Sequence, residues 1–248
     1  MSSWNPFRRR GRLQLPDDWE DLVAARTPGW WDVPLEDRTR TRDIADHLLA
    51  TKRWEAARDF ELTPEVPVVI AAQAARLVLR FDGAPYPNVG AVIVHATHLV
   101  SSEERPGPAH GVVSDDEVLL AGEAGHGHGP VVLAWDEVVW DLRHPRRGRN
   151  VVVHEFAHKL DMLDDVVDGT PPLGSQELVD RWVVVCTEVF EQLDAHGSPV
   201  LDDYGAEDPG EFFAVATEAF FTQAVKLRHH HAALYEVLAD FYRQDPAD

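Results

Sequence analysis

His154 and His158 stand four residues apart in the run His154-Glu155-Phe156-Ala157-His158. At that spacing two imidazoles on one α-helix project side by side and can reach a single ion. Glu155 lies one residue on from the first, so its carboxylate can reach a water on that ion without being a ligand. The three residues supply what metal-assisted hydrolysis needs: nitrogen ligands that leave positions open, and a base for a water already acidified by zinc. Chance gives such a pentapeptide in roughly one sequence in twenty of this length and composition, so the context has to decide. A catalytic zinc site also takes a third protein ligand and keeps a fourth position for water.

The best source of that ligand is the stretch from Tyr204 to Phe221. From Glu211 it reads as a buried helix, because phenylalanines and small residues surround only two carboxylates, Glu211 and Glu218. Seven residues apart, these share a face and point into an apolar environment, where a carboxylate needs a partner such as a metal ion. Asp208-Pro209-Gly210-Glu211 equally fits a helix start, with Asp208 as N-cap, proline at the first position and Glu211 at the third. Spacing alone leaves ligand and capping residue even for Glu211. Glu218 reads either as orienting a ligand histidine through a hydrogen bond or as the partner of a nearby Arg or Lys. Asp161, seven after His154, can accept that residue's second ring proton, and Tyr204 by itself reads as a packing tyrosine.

These side chains need rigid elements beneath them. Asn150 can cap a helix opening Val151-Val152-Val153-His154, with Phe156, Leu160 and Leu163 as its apolar face. Thr63-Pro64-Glu65 looks like an N-cap with proline in the first turn, and the apolar run that follows predicts a helix over about 64–80. Strands are expected at 90–95, 112–113, 118–120 and 131–135, in a small sheet that short connections make mostly antiparallel. Residues 1–62 read as short helices carrying Trp30, Trp31 and Trp54 among many charges. The glycine-rich stretch 122–130, with His126 and His128, reads as a hairpin connection, since glycine spacing alone identifies no metal or phosphate site. His229-His230-His231 reads as solvated helix surface.

Bulk properties narrow the class. The 248 residues carry 23 Lys plus Arg against 43 Asp plus Glu, a net charge of −20. That balance repels a phosphate backbone, which argues against direct nucleic-acid binding and for a basic or neutral protein partner. No stretch approaches 18 consecutive apolar residues, so no membrane span is expected. Arg8-Arg9-Arg10 runs into Gly11-Arg12 and the acids from Asp17 rather than the apolar core of an export signal, and the expected compartment is the cytoplasm. The single Cys186 lies in an apolar run as a packed thiol, and no intramolecular disulfide is possible.

Several of these segments resemble one family. They are the run from His154 to Asp161, then Asp168-Gly169-Thr170-Pro171-Pro172, then Glu211-Phe212-Phe213-Ala214-Val215 with Glu218 and Phe220-Phe221, and the closing Phe241-Tyr242-Arg243-Gln244-Asp245-Pro246. Together with 129–135 they resemble the Mlc titration factor A family of zinc peptidases, over most of the chain from about residue 60. The resemblance implies a gluzincin-like site: Zn2+ on His154, His158 and Glu211, with Tyr204, seven residues before Glu211, as a catalytic residue beside Glu155. It also implies aminopeptidase-like cleavage of small peptides and a link to sugar uptake through a transcriptional repressor. The His126/His128 loop departs from the family pattern. The implied fold is α+β: a single zincin-like metallopeptidase domain over 1–248, with a helical part over 1–62, a helix-and-sheet lobe over 63–149 and a zinc-binding helical lobe over 150–248.

Two readings follow. In one, the protein is a zinc metallopeptidase: Glu155 deprotonates a zinc-activated water, Tyr204 hydrogen-bonds the developing oxyanion, and the edge of strand 131–135 pairs with the peptide main chain. In the other it is a non-catalytic regulator that sequesters a DNA-binding repressor. The intact Glu155 favours the enzyme, because a structural zinc site closes its fourth position with another ligand.

Overall fold

The computed structural model describes residues 7–9, 12–57, 60–97 and 129–248. Within it the chain divides into one unit over 1–79 and 84–143 and another over 80–83 and 144–248. The first unit carries helices α1 (Trp19–Arg26), α2 (Leu35–Thr51), α3 (Glu65–Leu77) and α4 (Trp135–Arg143). Helix α3 is buried from Val66 to Leu77 at every position but Arg76, as an all-round apolar sequence requires. It starts one residue after Pro64 without a side-chain cap; the carbonyl of Thr63, not its hydroxyl, accepts the Val66 N–H. Arg26 of α1 meets Glu65 at 2.6 Å, and Gln73 donates to Thr27 Oγ1 at 3.0 Å, which fixes α1 against α3.

Four strands, β1 (Phe7–Arg9), β2 (Arg53–Ala57), β3 (Ala91–His95) and β4 (Val131–Ala134), lie in the order β1-β2-β3-β4. β1 pairs antiparallel with β2, but β2 with β3 and β3 with β4 are parallel, with Ile93 opposite Glu55 on one side and Val132 on the other. The mostly antiparallel sheet expected from the sequence is therefore wrong. The error lies in the connections. β2 falls in a stretch read as helical, and α3 makes the link from β2 to β3 a crossover. The 35 residues from β3 to β4 are likewise long enough to return the chain in parallel. The strands expected at 112–113 and 118–120, and the His126/His128 loop, lie outside the described residues. Trp135, expected to close a strand, opens α4 instead, with Asp136 and Glu137 in its first turn, where acids suit the helix dipole.

The second unit is helical: α5 (Val151–Asp161), α6 (Gln176–His196), α7 (Pro209–Thr222), α8 (Ala224–His230) and α9 (Ala232–Tyr242), with short 3-10 turns at Pro145–Arg147, Met162–Asp164 and Asp203–Ala206. All eleven residues of α5 are buried, as are residues Gly210 to Phe221 of α7. Their surroundings are aromatic. Trp182 packs on Phe213 and Phe241 at 5.7 Å, Phe220 stacks on Tyr242 at 5.5 Å, and the Tyr242 hydroxyl meets Thr217 Oγ1 at 2.8 Å. Burial pushes the Tyr242 phenol up and the half-buried Cys186 thiol up to about 12, which disfavours the thiolate. His229 and His230 are exposed at the end of α8, whereas His231 is half-buried against Ser198. Among the described residues no helix is long and apolar enough to cross a membrane.

Candidate metal centre

Helix α5 starts where Asn150 Oδ1 accepts the Val153 N–H at 3.2 Å, which sets the phase that turns His154 and His158 to one side. Helix α7 starts where Asp208 Oδ1 accepts the Glu211 N–H at 3.0 Å. The two readings of Glu211 therefore coexist. Its backbone belongs to the cap while its side chain turns to the histidines, so it does not reach back to Asp208 as a capping box would. α5 and α7 pack against each other, and 57 residues of sequence separation close to a few ångströms.

His154 Nε2 lies 3.2 Å from His158 Nε2 and 3.1 Å from Glu211 Oε2, and His158 Nε2 is 3.5 Å from the same oxygen. Ligand atoms about 2.0–2.2 Å from a tetrahedral ion are about 3.3–3.6 Å apart, so the three atoms are spaced to fit a divalent metal. His154, His158 and Glu211 are also the group of buried metal-type ligands found among the described residues. Glu218 fixes the state of one candidate ligand. Its Oε1 is 2.8 Å from His154 Nδ1, and its Oε2 accepts the Asn150 N–H. A carboxylate there holds the proton on Nδ1 and leaves the Nε2 lone pair directed at Glu211 and His158, an arrangement that repels unless a cation lies between them.

The electrostatics give the same sign. Without a metal, burial alone lowers the His154 pKa, but the carboxylates of Glu211 and Glu218 outweigh it and raise it to about 10. Burial acts upward on Glu211, and its hydrogen bonds to His154 and His158 prevail, bringing it down to about 2. The pocket thus demands positive charge, from a proton or from a metal that displaces it.

Glu155 is buried, and its Oε1 has no hydrogen-bond partner. Burial raises its pKa, against the opposing pull of His154, His158 and Lys159. An orphaned buried acceptor beside candidate metal ligands is where a reacting water can be held. The half-buried Tyr204 sits in the Asp203–Ala206 turn with its ring 6.2 Å from that of His154. The next residue, Gly205, lies so close to Leu193 and Val215 that a Cβ there would be 3.2 Å from each, which brings the turn tight against α6 and α7.

Asp161 does not take the position expected of it. The second ring nitrogen of His154 faces Glu218, and Asp161 Oδ2 instead accepts the Gly169 N–H at 3.0 Å. Fully buried, with Oδ1 unpartnered, its carboxyl is pushed up to about 6 by burial, against the Gly169 hydrogen bond. Gly169 is a joint that the sequence reading overlooks. Its carbonyl accepts Trp182 Nε1 at 3.0 Å, its φ is +74°, and a Cβ there would lie 2.2 Å from the Pro209 carbonyl. Only glycine suits that site, which ties the end of α5 to α6 and to the start of α7. Lys159 is a second omission; the signal was its place four residues after Glu155, on the same helix face.

A buried pair of histidines at helical spacing, a glutamate between them and a carboxylate from a second helix together fit a zincin-like metal centre. The chain belongs to the glucose-regulated metallo-peptidase M90 family, whose sequence profile matches residues 2–243. Among similar proteins, an uncharacterized protein of Synechocystis sp. is 34% identical over 98% of this chain and 90% of its own length. The Mlc titration factor A of Yersinia enterocolitica is 31% identical over 99% of this chain and 92% of its own, and that of Klebsiella pneumoniae is 30% identical over 98% and 91%.

Proposed function

We propose that the protein is a zinc-dependent, aminopeptidase-like hydrolase of small peptides, with zinc on His154, His158 and Glu211. The observation that carries this reading is the near-tetrahedral spacing of three buried ligand atoms, 3.1 to 3.5 Å apart, beside a glutamate with an orphaned oxygen. A bound zinc would acidify a water and polarise the scissile carbonyl. Glu155 takes the proton of the attacking water and passes it to the leaving amine. The Tyr204 hydroxyl donates to the carbonyl oxygen as the carbon becomes tetrahedral. Glu218 holds His154 in the tautomer whose Nε2 is free to ligate.

Metal content and hydrolysis of a panel of short peptides, measured together on purified protein, test the reading. We expect about one zinc per chain and an activity that a chelator abolishes and added zinc restores. Stoichiometric zinc without hydrolysis of any peptide would refute it. For Tyr204→Phe we expect unchanged zinc and Michaelis constant and about 10²-fold lower turnover, the effect of losing one oxyanion donor. Unaltered turnover returns Tyr204 to a packing role.

A second function is favoured by the name of the Yersinia and Klebsiella relatives, Mlc titration factor A. On that reading the protein also binds a sugar-responsive transcriptional repressor in the cytoplasm and thereby acts on sugar uptake. Because sequestration cleaves no bond, Glu155→Gln should capture the repressor as well as the unaltered protein does in a pull-down. Recovery of the repressor by the active protein only, or in cleaved form, rules sequestration out.

A further inference from the structure

The chain carries 43 acidic residues in 248, yet 142–154 and 219–235 contain none. In the second unit these two stretches lie side by side. The Gly148 carbonyl accepts Thr222 Oγ1 at 3.0 Å, and Gln223 covers Gly148 so closely that a Cβ there would lie 2.0 Å from its Nε2. The first stretch presents Arg146, Arg147 and Arg149, all exposed, and the second presents exposed Lys226, whose ammonium donates to Gln223 Oε1 at 2.8 Å. Four cations, from segments some eighty residues apart, thus flank one glycine.

Other exposed arginines of this unit are neutralised by acids: Arg181 by Asp240 at 2.7 Å, Arg228 by Asp248 at 2.7 Å and Arg243 by Asp82 at 3.2 Å. Arg146, Arg149 and Lys226 have no ion pair among the described residues. Their setting is ordered. Pro145–Arg147 is a 3-10 turn closed by the Arg147 N–H on the His144 carbonyl at 2.9 Å, and Gly148 follows at φ +86°. Arg149 directly precedes Asn150, whose N–H meets Glu218, the carboxylate on His154.

We infer that this face is a docking surface for a short acidic segment of a protein partner. Guanidinium groups match carboxylates bidentately, and a turn already ordered loses little entropy on binding. The net charge of −20 acts on an approaching partner from afar, but at contact the charges within about 8 Å decide. A nucleic-acid duplex carries far more charge than four cations can neutralise, in a chain whose net charge of −20 repels it; a run of a few aspartates or glutamates matches four cations. The face is distinct from the metal ligands, so its use does not depend on the peptidase reading.

Fluorescence anisotropy of a fluorescein-labelled hexaglutamate peptide with the full chain, at about 0.15 M ionic strength where charges beyond about 8 Å are screened, provides the test. We expect binding that the double variant Arg146→Glu, Arg149→Glu weakens at least 10-fold and Arg146→Gln, Arg149→Gln weakens less. Lys226→Glu, from the other segment, should weaken it by about 3-fold or more, since both segments form one face. Thermal melts of these surface variants should match that of the unaltered protein. Equal binding by the charge-reversed variant overturns the inference, as does an effect of the arginines without one of Lys226. Tighter binding of a short DNA duplex at the same salt overturns it too, as does a dimer in light scattering that charge reversal dissociates, because a second copy would then be the occupant.

Discussion

Glu155→Gln should leave the metal content unchanged and lower turnover by a factor of about 10²–10⁴, which is roughly 3–5.5 kcal/mol of transition-state stabilisation. The substitution keeps the volume of a buried side chain in a helix with no free surface and retains an oxygen where Oε1 has no partner. What it removes is the capacity to accept a proton. The metal should stay because the proposed ligand atoms are those of His154, His158 and Glu211, and none of their mutual distances involves Glu155. Elemental analysis and steady-state kinetics on one preparation separate the outcomes. An empty site would make Glu155 a ligand, and full turnover would put the base elsewhere.

The other large effect concerns the two carboxylates of α7, two helical turns or about 10 Å apart and unable to hold one ion together. Glu211→Ala should yield mostly metal-free protein after dialysis, since it leaves two nitrogen ligands and removes the oxygen that faces both. Glu218→Ala should bind metal about 10–100-fold more weakly but still measurably, because it frees the His154 tautomer without removing a ligand. Metal affinities from competition with a chelator rank the two. A tightly loaded Glu211→Ala beside an empty Glu218→Ala would mean that ligand and support are reversed.

The helices of the candidate site were readable from sequence because their signals are local. Asn150 before an apolar run, and Asp208-Pro209 before buried phenylalanines, mark helix starts whose caps form as expected. Period and spacing then fix which side chains share a face. The sheet was not readable in the same way. The strand Arg53–Ala57 has no alternation, since Trp54 to Ala57 are all buried, and it sits among helical patterns. Once it is missed, α3 no longer looks like a crossover and the strand directions come out wrong. Asp161 failed for a related reason: a seven-residue offset predicts a shared face but not which of several acceptors wins, and Glu218 arrives from another helix. For Gly169 the Asp168-Gly169 dipeptide marks a turn but not the close approach, because that constraint is the Pro209 carbonyl forty residues later.

The two oxygens of Glu218 join things usually kept apart, the first N–H of α5's cap region at Asn150 and the ring of a residue that faces the metal pocket, His154. If the start of the helix frays, the His154 ring loses its tether, and if the ring turns away, the carboxylate is no longer held against Asn150. Opening of the first turn of α5 and reorientation of the His154 ring are thereby coupled, so a cation held at His154 would be expected to slow amide exchange near Asn150. A metal bound there would act as a bolt on the fold as well as a reagent.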